Sequence, residues 1–170
     1  MDVLIRKVQP GDENSLAYIQ TESWKAAFRG ILDDETLARV TKLDRATAMY
    51  RRLLEEGKGN GYLLLLDGVP HCLAFWDAAR DEALSGKAEI IAIHSLPGNW
   101  RKGYGGQMMD RVLSDISAAG YAEAALWVFE KNARARAFYE ARGFRASGLT
   151  KEGLGAVEMC YVRGLCQSDC

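Results

Sequence analysis

The chain lacks an excess of charge of either sign. Its 170 residues carry 22 Lys and Arg against 23 Asp and Glu, a formal net charge of −1. That balance excludes the broad basic field by which a nucleic-acid partner is held. Long apolar runs are missing too, since no stretch approaches the roughly 18 uncharged apolar residues of a membrane span. Met1 to Lys7 lacks the apolar segment of a signal peptide, so a cytoplasmic location is expected. Cys72, Cys160, Cys166 and Cys170 show no metal-like spacing and read as reduced thiols, and no metal is expected. Repeats, linkers and low-complexity tracts are absent. What remains is ordinary globular composition, 48% hydrophobic and 26% charged, in a length that suits one domain with a substantial core. We read residues 1–165 as that domain and 166–170 as a loose tail.

Two familiar phosphate-binding motifs are also missing. The triphosphate loop, Gly, four residues, then Gly-Lys-Ser/Thr, does not occur. The dinucleotide fingerprint Gly-x-Gly-x-x-Gly fails at Met108. In their place stands Asn99-Trp100-Arg101-Lys102-Gly103-Tyr104-Gly105-Gly106-Gln107-Met108-Met109, between a strand-like stretch, Glu89 to Leu96, and a helical pattern. Glycines at 103, 105 and 106 let the backbone come close to a ligand. Amides at a helix start, aided by the dipole and by Arg101 and Lys102, suit a pyrophosphate. An ordinary tight strand-to-helix connection is the plainer alternative.

A second cluster, Leu126-Trp-Val-Phe-Glu-Lys-Asn132-Ala-Arg-Ala-Arg-Ala-Phe138-Tyr139-Glu-Ala-Arg-Gly143-Phe144, narrows the choice. With it, the sequence resembles the GNAT acyl-coenzyme A N-acetyltransferase family over nearly its whole length. The family's first signature, a strand, Pro, then Gln/Arg-x-x-Gly-x-Gly/Ala opening a helix, is met by Pro97 and Gly103-Tyr104-Gly105. Its second, a strand, Asn, a short helix with Ala and Tyr, and Gly-Phe, is met by Val128, Asn132, Ala137, Tyr139, Gly143 and Phe144. Trp100 departs from the pattern by filling the Gln/Arg slot.

The element order agrees. Strands are expected at Val3–Val8, Tyr62–Leu66, Val69–Trp76, Glu89–Leu96, Ala124–Phe129, from Phe144, and at Val157–Val162. The Asp67-Gly68 pair marks a hairpin. A helix follows Gly11-Asp12 and ends near Phe28-Arg29-Gly30; a second is capped by Asp33 or Asp34; a third runs from Leu43-Asp44 to about Glu56. Residues 81–86 look turn-like. Gly103 to Ala119 repeats its apolar residues at 3–4 spacing, and Asn132 caps a helix to Ala141. The expected fold class is α/β (α+β): the GNAT fold, a mixed, mostly antiparallel sheet flanked by helices.

Acetyl transfer to an amine needs a base, because a lysine-type ammonium has a pKa of about 10.4, whereas the leaving thiol, at about 8.5, needs little help. Glu89 is the candidate base, acting through water with a pKa raised by partial burial; a solvated strand-end charge is the alternative. His94 is its rival, equally readable as a structural histidine. The resemblance implies that Tyr139 is the acid at the sulfur, although it also fits a packing residue beside Phe138. It further implies acetyl-coenzyme A as cosubstrate, with cofactor contacts from Ile93, His94 and Ser95, whose strand backbone would pair with pantetheine amides. Arg101, Lys102, Gly103, Tyr104, Gly105, Gly106, Asn132, Arg134 and Phe138 complete that set. Lys131, Arg134 and Arg136 are candidates for the 3′-phosphate, or solvated charges paired with Glu140. Trp24, Phe28 and Trp76 are expected to line an acceptor pocket, and Glu22 to hold a cationic amine; a core role suits each aromatic as well. The expected activity is an N-acetyltransferase (EC 2.3.1.-) acting by direct attack on a small primary amine. A peptide or protein N-terminus, or a non-catalytic coenzyme A-binding sensor, are the alternatives. Neither nucleic acid nor membrane is expected as a partner, and homodimers are common for this fold.

Overall fold

The computed structural model describes residues 1–165, so the expected tail, with Cys166 and Cys170, lies outside the described residues. Seven strands and five helices follow in the order β1 (Val3–Lys7), α1 (Glu13–Ala27), α2 (Asp34–Val40), α3 (Leu43–Glu56), β2 (Asn60–Leu66), β3 (Val69–Ala78), β4 (Ala88–Ser95), α4 (Tyr104–Ala118), β5 (Glu123–Phe129), α5 (Ala133–Ala141), β6 (Arg145–Gly153) and β7 (Ala156–Gly164). Short 3-10 turns, Glu82–Leu84 and Pro97–Asn99, precede and follow β4. Hydrogen-bonded neighbours run β1-β2-β3-β4-β5-β7-β6. The β1/β2, β5/β7 and β6/β7 pairs are antiparallel and β4/β5 is parallel, the mixed sheet expected.

Contacts divide the described residues into two compact units, 1–75 with 92–109, and 76–91 with 110–165. The first is built on β2. Residues 61–66 are buried one after another, hence the unbroken apolar run of Tyr62-Leu-Leu-Leu-Leu66 instead of an alternating one. Leu16 and Ile19 of α1 and Ala46 and Tyr50 of α3 pack with Leu63, Leu65, Leu73 and Phe75. Spacings of three and four put each helix pair on one face. The buried Tyr50 hydroxyl donates to Gln20, so neither polar group is stranded. Asp67 and Gly68 both take positive φ, 49° and 82°, the geometry that matches a two-residue turn to strand twist.

Gly61 has a different reason to be glycine. A Cβ there would overlap the Phe75 ring and the Val8 side chain. Gly61→Ala is therefore expected to cost about 2 kcal/mol through overpacking, read as a lower midpoint in urea unfolding with an unchanged slope. Wild-type stability in that variant would mean that Phe75 turns aside freely.

In the second unit, β5 and β7 pair over seven residues, from Glu123↔Gly164 to Phe129↔Glu158. Leu84, Ala125 and Cys160 form a small core against Ala79, Trp127 and Val162. Asn132 caps α5 by accepting from the Ala135 amide at 3.2 Å, and Gly143 leaves the helix at φ 85°. That turn lets Phe144 bury itself, 1% exposed, with its ring 6.0 Å from that of Tyr139. β6 closes the sheet as an edge strand, exposed from Arg145 to Glu152.

Candidate active site

Chemistry-bearing residues gather in each unit. In the first, the run after β4 bends sharply. Arg101 adopts φ 62° and Gly103 φ 87°. A side chain at Gly103 would meet open space but a strained backbone. The Gly103 carbonyl accepts from Gln107 at 3.1 Å and so opens α4. First-turn amides of a helix have no carbonyl one turn back, and Arg101 and Lys102 lie exposed just upstream. Trp100, whose slot fits the family pattern poorly, donates from its indole Nε1 to the Ser95 carbonyl at 2.8 Å. It pins the loop to the end of β4. Asn99 pairs with His71, and Lys102 reaches the Asn99 side chain at 3.4 Å.

His94 lies one residue from the end of β4. Trp24 Nε1 donates to its Nε2 at 3.0 Å, and the Trp24 and Phe28 rings are 5.3 Å apart. The lone pair that would take a substrate proton is thereby engaged. Burial lowers the His94 pKa to about 4, so the ring is neutral near neutral pH, with its Nε2 lone pair taken up by Trp24. Trp24, Phe28, His94, Ile93 and Ser95 thus belong to one unit, whereas Trp76 packs edge-to-face on Tyr121 in the other, at 5.9 Å. Glu22, expected to hold an amine, is paired with Lys25 at 3.1 Å.

The second unit carries Glu89, Asn132, Arg134, Phe138 and Tyr139. Glu89 is 2% exposed, which rules out the solvated strand-end charge. Its partner is Arg80. The guanidinium donates to Oε2 at 2.8 Å and to Oε1 at 3.1 Å, and the Arg80 amide to Oε1 at 3.2 Å. Burial alone would raise the carboxyl pKa, as the sequence suggested, but Arg80 overrides it through hydrogen bonds and charge and holds Glu89 below the usual carboxylate range. The expected raised pKa is corrected accordingly: the group is ionised at neutral pH.

Tyr139 has the opposite setting. It is half-buried against Phe138 (5.4 Å) and Phe144, and loss of water pushes its pKa up to about 12 despite the opposing charge of Arg134. The phenol is protonated. Arg136, a candidate phosphate ligand, is instead committed to the Tyr161 hydroxyl (2.9 Å) and the Glu130 carbonyl (3.0 Å). Cys72 is fully buried and its thiol pKa is pushed up to about 12, so it is no nucleophile.

Glu89 opens onto a cleft of about 360 Å³ lined by Arg80, Asp81, Trp127 and Lys151, at the small end of ligand-site volumes. Sequence reasoning missed these four. Each is distant from Glu89 along the chain or depends on strand register, and no local motif marks them.

A profile of the acetyltransferase (GNAT) family matches residues 24–144. The probable N-acetyltransferase Rv2775 of Mycobacterium tuberculosis is 27% identical over 150 residues, covering 88% of this chain and 83% of its own. Among solved structures, the PaiA N-acetyltransferase of Thermoplasma acidophilum, in complex with coenzyme A, superposes with a TM-score of 0.82 at 18% identity, covering 96% of this chain and 99% of that one. YncA of Salmonella typhimurium, solved with acetyl-CoA, gives a TM-score of 0.72 at 18% identity over 99% of this chain and 96% of its own.

Proposed function

The chain belongs to the acetyltransferase (GNAT) family, and from that premise we propose that it moves an acetyl group from acetyl-coenzyme A to the primary amine of a small molecule, by direct attack in a ternary complex. The observation that carries this reading is the bend at Gly103, φ 87°, which opens α4 behind exposed Arg101 and Lys102. Amides of Tyr104 and Gly105 in that first turn suit a diphosphate, and Gly106 and Lys102 extend the grip. Backbone at Ile93 and Ser95, with Asn132, Arg134 and Phe138, serves the rest of the carrier. The β4/β5 ladder of two pairs, Ala88↔Ala124 and Glu89↔Ala125, supports the splayed strand this requires.

Bound acetyl-coenzyme A supplies an activated thioester. Glu89, ionised, accepts the proton the amine nitrogen loses as its bond to the acetyl carbon forms. Tyr139, protonated, donates a hydrogen bond to the sulfur as the carbon–sulfur bond breaks; the departing thiolate takes its proton from solvent, and Glu89 resets by releasing its proton there. With Cys72 inert, no acetyl-enzyme step is invoked. Trp24, Phe28 and Trp76 are the aromatic candidates for acceptor contacts.

The test is thermal melting of the full chain with acetyl-coenzyme A, followed by thiol release with an amine panel. At a hundredfold excess over Kd, binding is expected to add about 2.7 kcal/mol of stability, raising Tm by roughly 5–10 °C. No shift at millimolar carrier overturns the proposal. A shift without thiol release for any amine would mark a coenzyme A-binding sensor.

A further inference from the structure

The cleft at Glu89 holds two donors that have no acceptor among the described residues. Strand register brings its walls together. Glu89 pairs with Ala125, and Trp127 lies two residues further along β5, on the same sheet face. Trp127 is opposite Cys160, and Lys151 of β6 is opposite Glu158, two residues from Cys160 on that face. The Arg80-Asp81 segment completes the lining, and all five lining residues belong to the second unit. The Trp127 indole N–H is the buried side-chain polar atom without a hydrogen-bond partner among the described residues. Buried donors are as a rule paired, and an N–H can be paired only by an acceptor. Over the same ring stands the Lys151 ammonium, 4.1 Å from its centre.

Lys151 makes no ion pair among the described residues. Its cross-strand partner Glu158 is turned toward the hairpin end: the carboxylate lies against Gly153, where a Cβ would overlap it, and feels the Lys151 charge at a distance. The carboxylates of the lining are engaged elsewhere. Glu89 is held by the Arg80 guanidinium at 2.8 and 3.1 Å, and Asp81 accepts from the Ala83 amide at 3.0 Å. Formal charges in the lining balance, Arg80 and Lys151 against Asp81 and Glu89. A ligand that keeps this balance carries no net charge. If it brings an amine to the carboxylate side, it must bring an anionic acceptor to Lys151 and Trp127. A volume of about 360 Å³ admits a small molecule with both groups.

We propose that the acceptor is an amino acid: its amine faces Glu89, and its carboxylate is held by the Lys151 ammonium and the Trp127 indole N–H, which together determine specificity. The proposal rests on the transferase reading given above and names the substrate class of that site. The exposed Lys151 side chain leaves the ring face for the carboxylate, and one carboxylate oxygen accepts from the indole. The amine enters as an ammonium against Asp81 and Glu89. Glu89 takes its proton as the nitrogen attacks. A plain alkylamine leaves the indole N–H buried and unpaired, which costs binding, and adds an unbalanced cation beside Lys151.

Calorimetry on the full chain, with and without coenzyme A, compares each amino acid of a panel with its amide and with its decarboxylated amine. The panel spans α-amino acids of increasing side-chain size, β-alanine and γ-aminobutyrate, so that the spacing of amine and carboxylate is sampled. The amide keeps a carbonyl for the indole but loses the charge that Lys151 reads; the amine loses both. For the tightest-binding member, the acid is expected to bind about tenfold more tightly than its amide, the effect of one charge-assisted contact, and the amine more weakly still. Lys151→Gln should erase the gap between acid and amide, and Lys151→Arg should restore most of it. Trp127→Phe should narrow the gap between amide and amine and leave the first gap standing. Ratios of affinities within one variant cancel any general loss of folding. The proposal is overturned if amide or amine binds as well as the acid, if Lys151→Gln keeps the acid preference, if Trp127→Phe leaves the second gap unchanged, or if no panel member binds at millimolar concentration. Thiol release is followed in parallel. Acid-selective binding that Lys151→Gln abolishes, without thiol release in the wild type, sinks the transferase reading and leaves the carboxylate site standing. Thiol release that favours decarboxylated amines does the reverse.

Discussion

Replacing Glu89 by Gln is expected to lower kcat on the order of 10²-fold or more, the usual worth of a general base, with acetyl-coenzyme A affinity nearly unchanged. The carboxylate is buried and faces the cleft that Arg80 borders. The amide keeps the shape and can still accept from Arg80, so the fold survives while the proton acceptor is gone. The pH dependence gives a sharper check. Arg80 holds Glu89 below the usual carboxylate range, so the accepting form persists as pH falls, and the acidic limb of the rate profile lies low. Arg80→Ala removes the lowering influence and leaves burial, which raises the pKa. The limb should then move up toward neutrality, so the variant loses proportionally more activity at mildly acidic pH than wild type. The same sign governs stability. A carboxyl with a depressed folded pKa stabilises the protein above its unfolded value, and that contribution disappears as pH drops through the folded one. The Arg80–Glu89 pair is thus an acid-sensitive fastening of β4 to the turn before it. An unchanged rate profile in Arg80→Ala would remove Glu89 from the proton path.

That pair also shows where sequence reading stops. Glu89 was visible as a candidate because it opens the strand feeding the glycine run, a local relation. Its pKa was expected to rise because burial is what one residue in a strand implies. The sign is set by Arg80, brought back against it by the bend between β3 and β4, and no periodicity reports that. Lys151 and Glu158 illustrate the same limit. Both closing strands were expected, but only their register makes the two residues direct partners, and a slip of one position would turn each to the other face. What was legible has local causes: Asp67-Gly68 as a tight turn, Asn132 as a helix cap, Gly103 as a bend, Gly143-Phe144 as a helix exit. Trp100 is intermediate. Its slot was visible and its role was not, because the Ser95 carbonyl it binds is a backbone atom available to any residue that reaches it.

Tyr139→Phe should reduce turnover by about 10²-fold while leaving stability and carrier affinity close to wild type. The hydroxyl has no hydrogen-bond partner among the described residues, so its removal breaks no contact of the fold, and the ring keeps its packing on Phe138 and Phe144. The physical role follows from the pKa. At about 12 the phenol is fully protonated near neutral pH, so every molecule carries the donor. Yet a thiol of about 8.5 is the stronger acid, so complete transfer from phenol to thiolate is uphill. In the proposed mechanism Tyr139 therefore acts by donating a hydrogen bond to sulfur as negative charge grows, and the thiolate takes its proton afterwards from solvent. This has a consequence that a packing role would not produce. Acyl donors whose thiol is more acidic develop a better-stabilised thiolate and depend less on the hydroxyl, so the Phe penalty should shrink along a series of such thioesters. Arg134→Ala removes the one charge that eases ionisation of Tyr139 and leaves the donor form filled, so its turnover should stay much closer to wild type than that of Tyr139→Phe. A Phe variant at full speed, or a penalty that ignores the leaving group, would return Tyr139 to the role of a ring packed beside Phe138.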